Sequence, residues 1–420
     1  MSKTSKILMA ILSLLSLIGI CYEIVNKSFL FLIIFIFLFI SSLLFLIFYI
    51  KDLKITKHSF LKYILLSLVL TLVVSFTFYK VFDFKNDKVV TNDKDKVSLD
   101  ESNVVTKESI NLSDYNTDIT ITKTGIYTLT GSFSHSVIID AENENINLVL
   151  DDVTIKNEKT ATIIGLNAES ITITLKENTI NTLSDGGNSE YDGCIYSNSK
   201  LIFNGSGRLI INGNQNEGEG IATETNDITF DGGIYEITSN DDGINAGGDG
   251  GLIQINDGTF YINSGGDGID SNKNLEINGG TIFVIGSDKT ADSGIDTDEG
   301  YTINKGTLVA LGSDMIETPE KSSKQNVISF NLNEKIYSGK LITLTNDNGS
   351  VISFVSPKSF KTIIISTNTL ESGNYYLYES NSNNYEYGIS YENTNDNLIS
   401  LNNETKFTYN GGVSLFGNNR

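Results

Sequence analysis

Residues 240–270 read NDDGINAGGDGGLIQINDGTFYINSGGDGID. This stretch contains two near-copies of one phrase, DDGIN at 241–245 and GDGID at 266–270. The segments IQIN and TFYI lie between them, and their alternation of apolar and polar residues is typical of short β-strands. A phrase that returns with two short strands in each copy indicates a repeat architecture.

The same period extends to both sides of this stretch. Gly-Ile pairs recur at nearly even spacing, and a looser copy, Asp192–Ile195, lies upstream of them at a similar distance. The pairs are Gly220-Ile221, Gly243-Ile244, Gly268-Ile269 and Gly294-Ile295. Each copy has one apolar face that is too small to be buried alone, and stacking coil on coil would bury it. The sequence therefore predicts an all-β fold, a parallel β-helix (solenoid) that we take to be right-handed.

Alternate residues of the two strands are the predicted core. They are Ile228, Phe230, Ile253, Ile255, Leu275 and Ile277 in the first strand and Tyr235, Ile237, Phe260, Ile262, Ile282, Val284, Leu308 and Ala310 in the second. A polar column, Asp231, Asn256, Asn278 and Asn304, precedes the aligned glycine that separates the two strands. Stacked amides hydrogen-bond from one coil to the next, so this column is expected to be a structural device.

The repeat sets the predicted domain boundaries. Residues 111–318 are assigned to the parallel β-helix, and residues 84–110, which are polar, to a tether and the start of the solenoid. The period is lost near residue 319, and residues 319–420 are expected to form a C-terminal β cap and tail. An open solenoid end presents unpaired strand edges and needs such a cover.

Residues 1–83 have a different composition. Three apolar runs, at about 7–25, 29–50 and 60–82, approach or exceed the length that a helix needs to cross a bilayer. They are expected to form a membrane anchor of three transmembrane helices. Lysines flank the start of the first run and the loop between the second and third, which predicts a multi-pass protein of the cell membrane whose C-terminal domain is extracellular.

Net charge excludes some classes of partner. The chain carries −21 overall, but residues 1–83 hold eight lysines and three acidic residues, so the remainder carries about −26. Such a domain should repel nucleic acid and attract multivalent cations. Two histidines and two cysteines, without metal-ligand spacing, argue against a histidine-based zinc site and a Ser-His-Asp triad.

The repeated acidic phrase predicts a cation site. The residues before the aligned Gly-Ile glycine include Asp242 and Asp267, with Asp292 beside the next position, and the residues after isoleucine are Asn245, Asp270 and Asp296. Adjacent coils lie about 4.8 Å apart, where bare carboxylates repel each other. Ca²⁺ accepts carboxylate, amide and backbone oxygens at about 2.3–2.6 Å, so one ion can bridge two coils. The alternative is a solvated acidic edge.

Aromatic residues supply a second candidate site. Tyr261 and Phe283 stand at matching outward positions of adjacent coils and could bind the faces of sugars. Ordinary packing beneath a loop is the alternative. Lys273, which closely follows Asp270, is the one candidate for a catalytic base near the acidic phrase.

The stretch SNDDGINAGGDGG, with INDGTFYINSGGDGIDSNKNLEINGGTIFVIGS after it, resembles the polysaccharide-lyase-like carbohydrate-binding domain family. The similarity extends over residues 97–379, and Ser366, Leu370, Gly373 and Tyr376 match the family's closing pattern. The resemblance implies a right-handed parallel β-helix related to pectate lyases, which binds cellulose and acidic sugars with bound calcium. It implies calcium ligands at Asp242, Asp267 and Asp270, and less closely at Asp292 and Asp296.

The resulting hypothesis is a membrane-anchored, externally exposed protein that binds polysaccharide or acidic sugars with Ca²⁺. One alternative is a calcium-dependent enzyme like pectate lyase, which would cleave uronate polymers by β-elimination. Another is a cell-envelope scaffold or adhesion solenoid. Whether the protein is an enzyme stays open at this point.

Overall fold

A computed structural model describes residues 106–187, 190–248, 251–289, 292–381, 387–390 and 396–417. In chain order, the strands of the coiled part are β1 (Thr106–Asn111), β2 (Ile119–Ile121), β3 (Gly125–Phe133), β4 (Val137–Asp140), β5 (Asn145–Lys156), β6 (Ile163–Asn167), β7 (Ser170–Leu175), β8 (Ile180–Ser184), β9 (Gly193–Ser197), β10 (Lys200–Gly205), β11 (Arg208–Gly213), β12 (Glu219–Thr223), β13 (Ile228–Ser239), β14 (Ile244–Ala246), β15 (Ile253–Asn263), β16 (Ile269–Ser271), β17 (Leu275–Ile277), β18 (Thr281–Ile285), β19 (Ile295–Thr297), β20 (Tyr301–Ile303) and β21 (Thr307–Gly312). The C-terminal strands are β22 (Val327–Ile336), β23 (Lys340–Asn346), β24 (Gly349–Val355), β25 (Phe360–Ser366), β26 (Gly373–Asn381), β27 (Gly388–Ser390), β28 (Asn397–Leu398), β29 (Phe407–Tyr409) and β30 (Val413–Gly417). A single 3-10 turn, Leu112–Asp114, is the one helical element of the described residues.

Successive coils pair in parallel along two faces of the solenoid. Sheet B, as we name it, has eight strands, in the order β19-β16-β14-β12-β9-β6-β4-β2. The longer sheet A carries the other strands of the coils and continues from β21 through β25 and β22 to β30. Equivalent residues of neighbouring coils pair, as in Ile228 opposite Ile253 and Ile253 opposite Leu275, and the register shifts at bends such as the one after Phe230. The predicted parallel β-helix is confirmed.

The predicted core residues line the inside of the solenoid. All fourteen are at most 2 % exposed and belong to one hydrophobic cluster. Four aromatic rings stack in its middle: Phe203 on Phe230 with centroids 4.8 Å apart, and Tyr235 on Phe260 at 4.7 Å. Phe230 also meets the Tyr235 and Phe260 rings edge-on, at 5.2 and 5.1 Å. This aromatic stack ties three neighbouring coils together.

The predicted amide column exists as a hydrogen-bonded ladder. Asn256 Nδ2 donates to Asp231 Oδ1 at 2.8 Å, and Asn278 Nδ2 donates to Asn256 Oδ1 at 2.9 Å. Asn304 Nδ2 then donates to Asn278 Oδ1 at 2.8 Å. The amides of Asn256 and Asn278 each donate a hydrogen bond to the preceding coil and accept one from the following coil. The ladder therefore fixes the register of the bend.

Replacement of Asn278 by alanine should lower the free energy of unfolding by about 1–2 kcal/mol, because it removes two hydrogen bonds at once. Denaturant titration would measure the change. The exposed Asn348 of the cap is the matched control, and Asn348→Ala should stay within about 0.5 kcal/mol of the unaltered protein. Equal effects of the two substitutions would show that the ladder adds nothing to stability.

The C-terminal strands cover the last coil and one flank of the solenoid. β25 pairs antiparallel with β21 and with β22, so the edge of β21 is not left open. Sheet C, which contains β23, β24, β26, β27, β28 and β29, belongs to a second hydrophobic cluster together with outward residues of β18 and β21. Phe283, Val309 and Phe354 are members of this cluster. The outer surface of the last coils of sheet A is therefore buried beneath sheet C.

The predicted fold class needs correction in its membrane part. No helix in the described ranges is both long and apolar enough to cross a membrane. The three segments predicted as transmembrane helices fall within residues 1–83, which lie outside those ranges. The architecture that the structure supports is an all-β solenoid with a β cap, and membrane association through N-terminal helices is not supported.

Candidate functional site

Sheet B presents a polar column on its outer surface. Asn245, Asp270 and Asp296 occupy the same register position of β14, β16 and β19. All three are half-buried, while the isoleucine that precedes each of them points into the core. Alternation along a short strand therefore places this amide and these two carboxylates one above another, as the repeat predicted.

Asp242 and Asp267 form the neighbouring column, just before the strands. Asp242 Oδ1 accepts a hydrogen bond from the Asp267 backbone N–H at 2.6 Å, and Asp267 Oδ1 accepts one from Ser293 N–H at 2.5 Å. Gly243 follows Asp242, and a Cβ there would lie 2.5 Å from the carbonyl oxygen of Gly268. Glycine is required at this position because only its backbone allows the coils to approach so closely.

The two columns contact each other through Asn245. Its Nδ2 donates to Glu219 Oε1 at 2.6 Å and to Asp242 Oδ2 at 3.2 Å. Its Oδ1 is buried and has no hydrogen-bond partner among the described residues. An orphaned buried oxygen is costly, so this amide oxygen has capacity for a further ligand. We call Asp242, Asn245, Asp267, Asp270 and Asp296 the acidic edge.

Burial and mutual repulsion favour protonation at the acidic edge. Burial, followed by the charge of Asp241, raises the pKa of Asp242 to about 8. Burial and the charge of Asp296 raise the pKa of Asp267 to about 7, and the same two causes raise that of Asp270 to about 6. Glu219, which is 8 % exposed, has a pKa raised well above its ordinary value by burial and by Asp192 and Asp242. Among the described residues, no lysine or arginine forms an ion pair with these four carboxyl groups.

Asp292 lies near the acidic edge without belonging to either of its two columns. Its charge contributes to the raised pKa values of Asp241 and Asp267. Its backbone carbonyl accepts a hydrogen bond from Ser313 Oγ at 2.8 Å. Of the six predicted cation ligands, this residue has the loosest connection to the others.

Three further acidic residues adjoin the edge. Glu219 occupies the repeat position before Gly220, and the alignment of the repeats identifies it as a member of the same acidic column. Asp241 and Asp242 both direct a carboxylate oxygen toward Gly266, where a Cβ would lie 2.4 Å from each. Glu317 accepts hydrogen bonds from the N–H and Oγ1 of Thr297, at 2.7 and 2.5 Å. No repeat marks Glu317, because it follows β21 outside the periodic part.

The structure does not itself display a metal centre. Among the described residues, no group of three or more His, Cys, Asp or Glu side chains is arranged to hold a metal ion. Pairs of carboxylates, the Asn245 amide and backbone carbonyls are the oxygen donors that the acidic edge offers. Calcium binding therefore stays a prediction.

The predicted aromatic site lies beneath the cap. Tyr261 and Phe283 stack with centroids 5.6 Å apart and an interplanar angle of 8°. Phe283 is 3 % exposed and contacts Phe354 of the cap at a centroid distance of 6.4 Å. Tyr261 is half-buried, and burial raises its pKa to about 12. The ring of Phe283 is occupied by packing, which is the arrangement that the alternative interpretation described.

Lys273, the candidate base, follows β16 and is exposed. Its backbone N–H donates to Ser271 Oγ at 3.2 Å. This contact of the backbone stabilises the turn, and a catalytic role of the side chain stays a prediction.

A family model matches residues 115–383, more than half of the chain, and its family is described as carbohydrate-binding domain-containing protein. The chain belongs to this family. No curated protein matches this chain. One similar solved structure is described as "Structure of the polysaccharide lyase-like protein from C. thermocellum, Gadolinium derivative". It is 26 % identical in sequence, with a TM-score of 0.39, over 54 % of this chain and 96 % of the other. The family match over residues 115–383 confirms the family resemblance seen in the sequence.

Proposed function

We propose that this carbohydrate-binding domain takes acidic polysaccharides, and that it binds them at the acidic edge of sheet B with the help of Ca²⁺. The observation that carries the proposal is the pair of facing columns, in which Asp242 and Asp267 lie beside Asn245 and Asp270 on consecutive coils. The carboxylates of this surface repel the carboxylates of a uronate unless a cation lies between the protein and the sugar. A polysaccharide ligand also implies action outside the cell, and this location stays a prediction.

The residues of the acidic edge have the chemistry that Ca²⁺ prefers. Asp242, Asp267 and Asp270 would hold the ion with carboxylate oxygens, and Asn245 Oδ1 would contribute the amide oxygen that lacks a partner among the described residues. When bound, Ca²⁺ would supply the positive charge that joins an acidic sugar to an acidic protein. Since the described carboxylates do not converge in threes, water would complete the coordination of Ca²⁺ in the free protein, and sugar oxygens would replace that water. Sugar and calcium would therefore each strengthen the binding of the other.

Calorimetric titration of the full-length protein with polygalacturonate oligosaccharides tests the proposal. Affinity should fall at least about tenfold when Ca²⁺ is chelated, and the double variant Asp242→Asn with Asp267→Asn should bind no better than the chelated protein. Cellulose oligosaccharides, which carry no charge, should show a weaker dependence on Ca²⁺.

The matched control removes an equal number of carboxylate charges at another place on the solenoid. Asp140→Asn with Glu142→Gln alters two exposed carboxylates and should leave both affinity and calcium dependence unchanged. Oligouronate binding that is indifferent to chelation and to the Asp242/Asp267 variant would refute the calcium-dependent site.

A further inference from the structure

Two tyrosines lie on the same surface of the solenoid as the acidic edge. Tyr196 of β9 is in register with Ala222 of β12, which is in register with Asn245. The outward column of sheet B therefore runs from a tyrosine, through a small residue, to the amide and carboxylates of the edge. Two coil spacings, roughly 9–10 Å, separate Tyr196 from Asn245 along this column.

Tyr191 stands one residue before a second row of residues, on the neighbouring bend. It precedes Asp192, whose carbonyl accepts a hydrogen bond from Glu219 N–H at 2.7 Å. On the following coils, Gly218 O accepts from Asp241 N–H at 3.0 Å, and Asp241 O accepts from Gly266 N–H at 3.1 Å. Since Glu219 pairs with Gly193, this row runs from Asp192 through Gly218 to Asp241, and Tyr191 lies one residue before it.

The two rings form a supported pair. Their centroids are 5.2 Å apart and their planes are inclined by 51°. Tyr196 is 7 % exposed and packs in a small apolar cluster with Ala161, Ile164 and Ala222, while Tyr191 lies against this cluster and is only half-buried. The inner ring thus serves as packing, whereas the outer ring, whose hydroxyl hydrogen-bonds with Glu190, remains partly exposed to solvent.

Hydrogen bonds hold the outer tyrosine in place. Gln215 Nε2 donates to the Tyr191 carbonyl at 2.8 Å and to Asp185 Oδ2 at 2.8 Å. Both Gln215 and Asp185 are buried, at 1 % and 4 % exposure. Tyr196 Oη lies 3.0 Å from Asn198 Oδ1, to which it donates. A ring on a fixed backbone, supported by a second fixed ring, loses little conformational entropy when a ligand stacks on it.

Electrostatic contact connects the pair to the acidic edge. The charge of Asp192, next to Tyr191, contributes to the raised pKa values of Glu219, Asp241 and Tyr196. The charge of Glu224 likewise contributes to the raised pKa values of Asp192 and Tyr196. Tyrosines and carboxylates are therefore neighbours on one continuous surface, whereas Phe283 is covered by the cap.

We propose that Tyr191 is the residue on which a bound sugar stacks, with the charged or hydroxyl groups of the same glycan directed to the acidic edge. This inference rests on the proposed function, because that function places the glycan at the edge. The C–H face of a pyranose is apolar and fits an aromatic ring, and the polar rim of the sugar remains free for the neighbouring carboxylates and their cation. A uronate polymer has an apolar ring face for Tyr191 and carboxylates for the cation at the acidic edge.

Substitution of Tyr191 tests the inference at saturating Ca²⁺ in the full-length protein. Tyr191→Leu, which keeps an apolar cover over Tyr196, should weaken binding of polygalacturonate oligosaccharides about tenfold in calorimetric titration. Tyr191→Phe should bind like the unaltered protein, because the ring remains. Tyr337→Leu is the matched control, since Tyr337 is 72 % exposed on the cap and should not affect binding.

Three outcomes are distinguishable. If Tyr191→Leu melts at the temperature of the unaltered protein and binds with the same affinity, Tyr191 is not the stacking residue, although the acidic-edge site still stands. If the Tyr337→Leu control weakens binding as much as Tyr191→Leu, the stacking assignment also fails. If the unaltered protein binds no oligouronate, the proposed function and this inference fail together. If Tyr191→Leu melts at a lower temperature than the unaltered protein, Tyr191→Met is a second apolar variant for the same comparison. The same binding results then decide whether Tyr191 is the stacking residue.

Discussion

Phe230→Ala should lower the free energy of unfolding of the solenoid by about 3–5 kcal/mol, the range found for deletion of a fully buried aromatic side chain. Phe230 is 0 % exposed and lies at the centre of the aromatic stack, with Phe203, Tyr235 and Phe260 within 4.8 to 5.2 Å of its ring centroid. Its removal would leave a cavity against three rings on three coils, and close-packed neighbours refill such a space only partly.

The effect would be large because a solenoid has no alternative core. Each coil contacts only its two neighbours, so a weak coil interrupts the stack at that position. Denaturant unfolding would measure the loss. Thr229→Ala, at the adjacent outward position of β13, is the control and should change stability by less than about 0.5 kcal/mol. A Phe230→Ala variant no less stable than Thr229→Ala would contradict the assigned core.

Features that repeat were predictable from the sequence. Phe230 and Ile255 were assigned to the core because they alternate with polar residues inside each copy of the repeat, and a parallel ladder converts that period into vertical alignment. Asn256 and Asn278 were assigned to a ladder for the same reason. Asp242 and Asp267 fell in one column because the aligned glycine sets the register of every coil.

Features that depend on contacts with parts of the chain distant in sequence were not predictable. Phe283 occupies an outward position by its period, and only the position of sheet C shows that its ring is buried. Glu317 reaches Thr297 from a segment without a repeat. Tyr191 belongs to the bend before β9, where the period is loose, so its closeness to Tyr196 follows from side-chain directions that alternation does not encode.

In calcium-free solution, the protein should become less stable as the pH rises from about 4 to about 8. The folded-state pKa values of Asp242, Asp267 and Asp270, about 8, 7 and 6, lie above their ordinary value of 3.8. Between these limits the folded protein binds more protons than the unfolded chain, so stability falls with pH. The contribution of these groups is complete below pH 4 and is lost as the pH passes each folded-state value. One pKa unit corresponds to about 1.4 kcal/mol, and solvent screening reduces the share of the half-buried groups, so a few kcal/mol should be lost.

Thermal unfolding in chelator between pH 4 and pH 9 would measure this dependence. Other groups also titrate, so the decisive quantity is the difference between variants. Asp242→Asn with Asp267→Asn removes two of the three shifted carboxyl groups and should flatten the profile between pH 5 and pH 8, whereas Asp140→Asn with Glu142→Gln should leave its slope unchanged. Added Ca²⁺ should restore stability at pH 8 in the unaltered protein and not in the Asp242/Asp267 variant, because cation and proton relieve the same repulsion. A profile whose slope is the same in both double variants would show that the stacked carboxylates of sheet B do not repel each other in the folded protein.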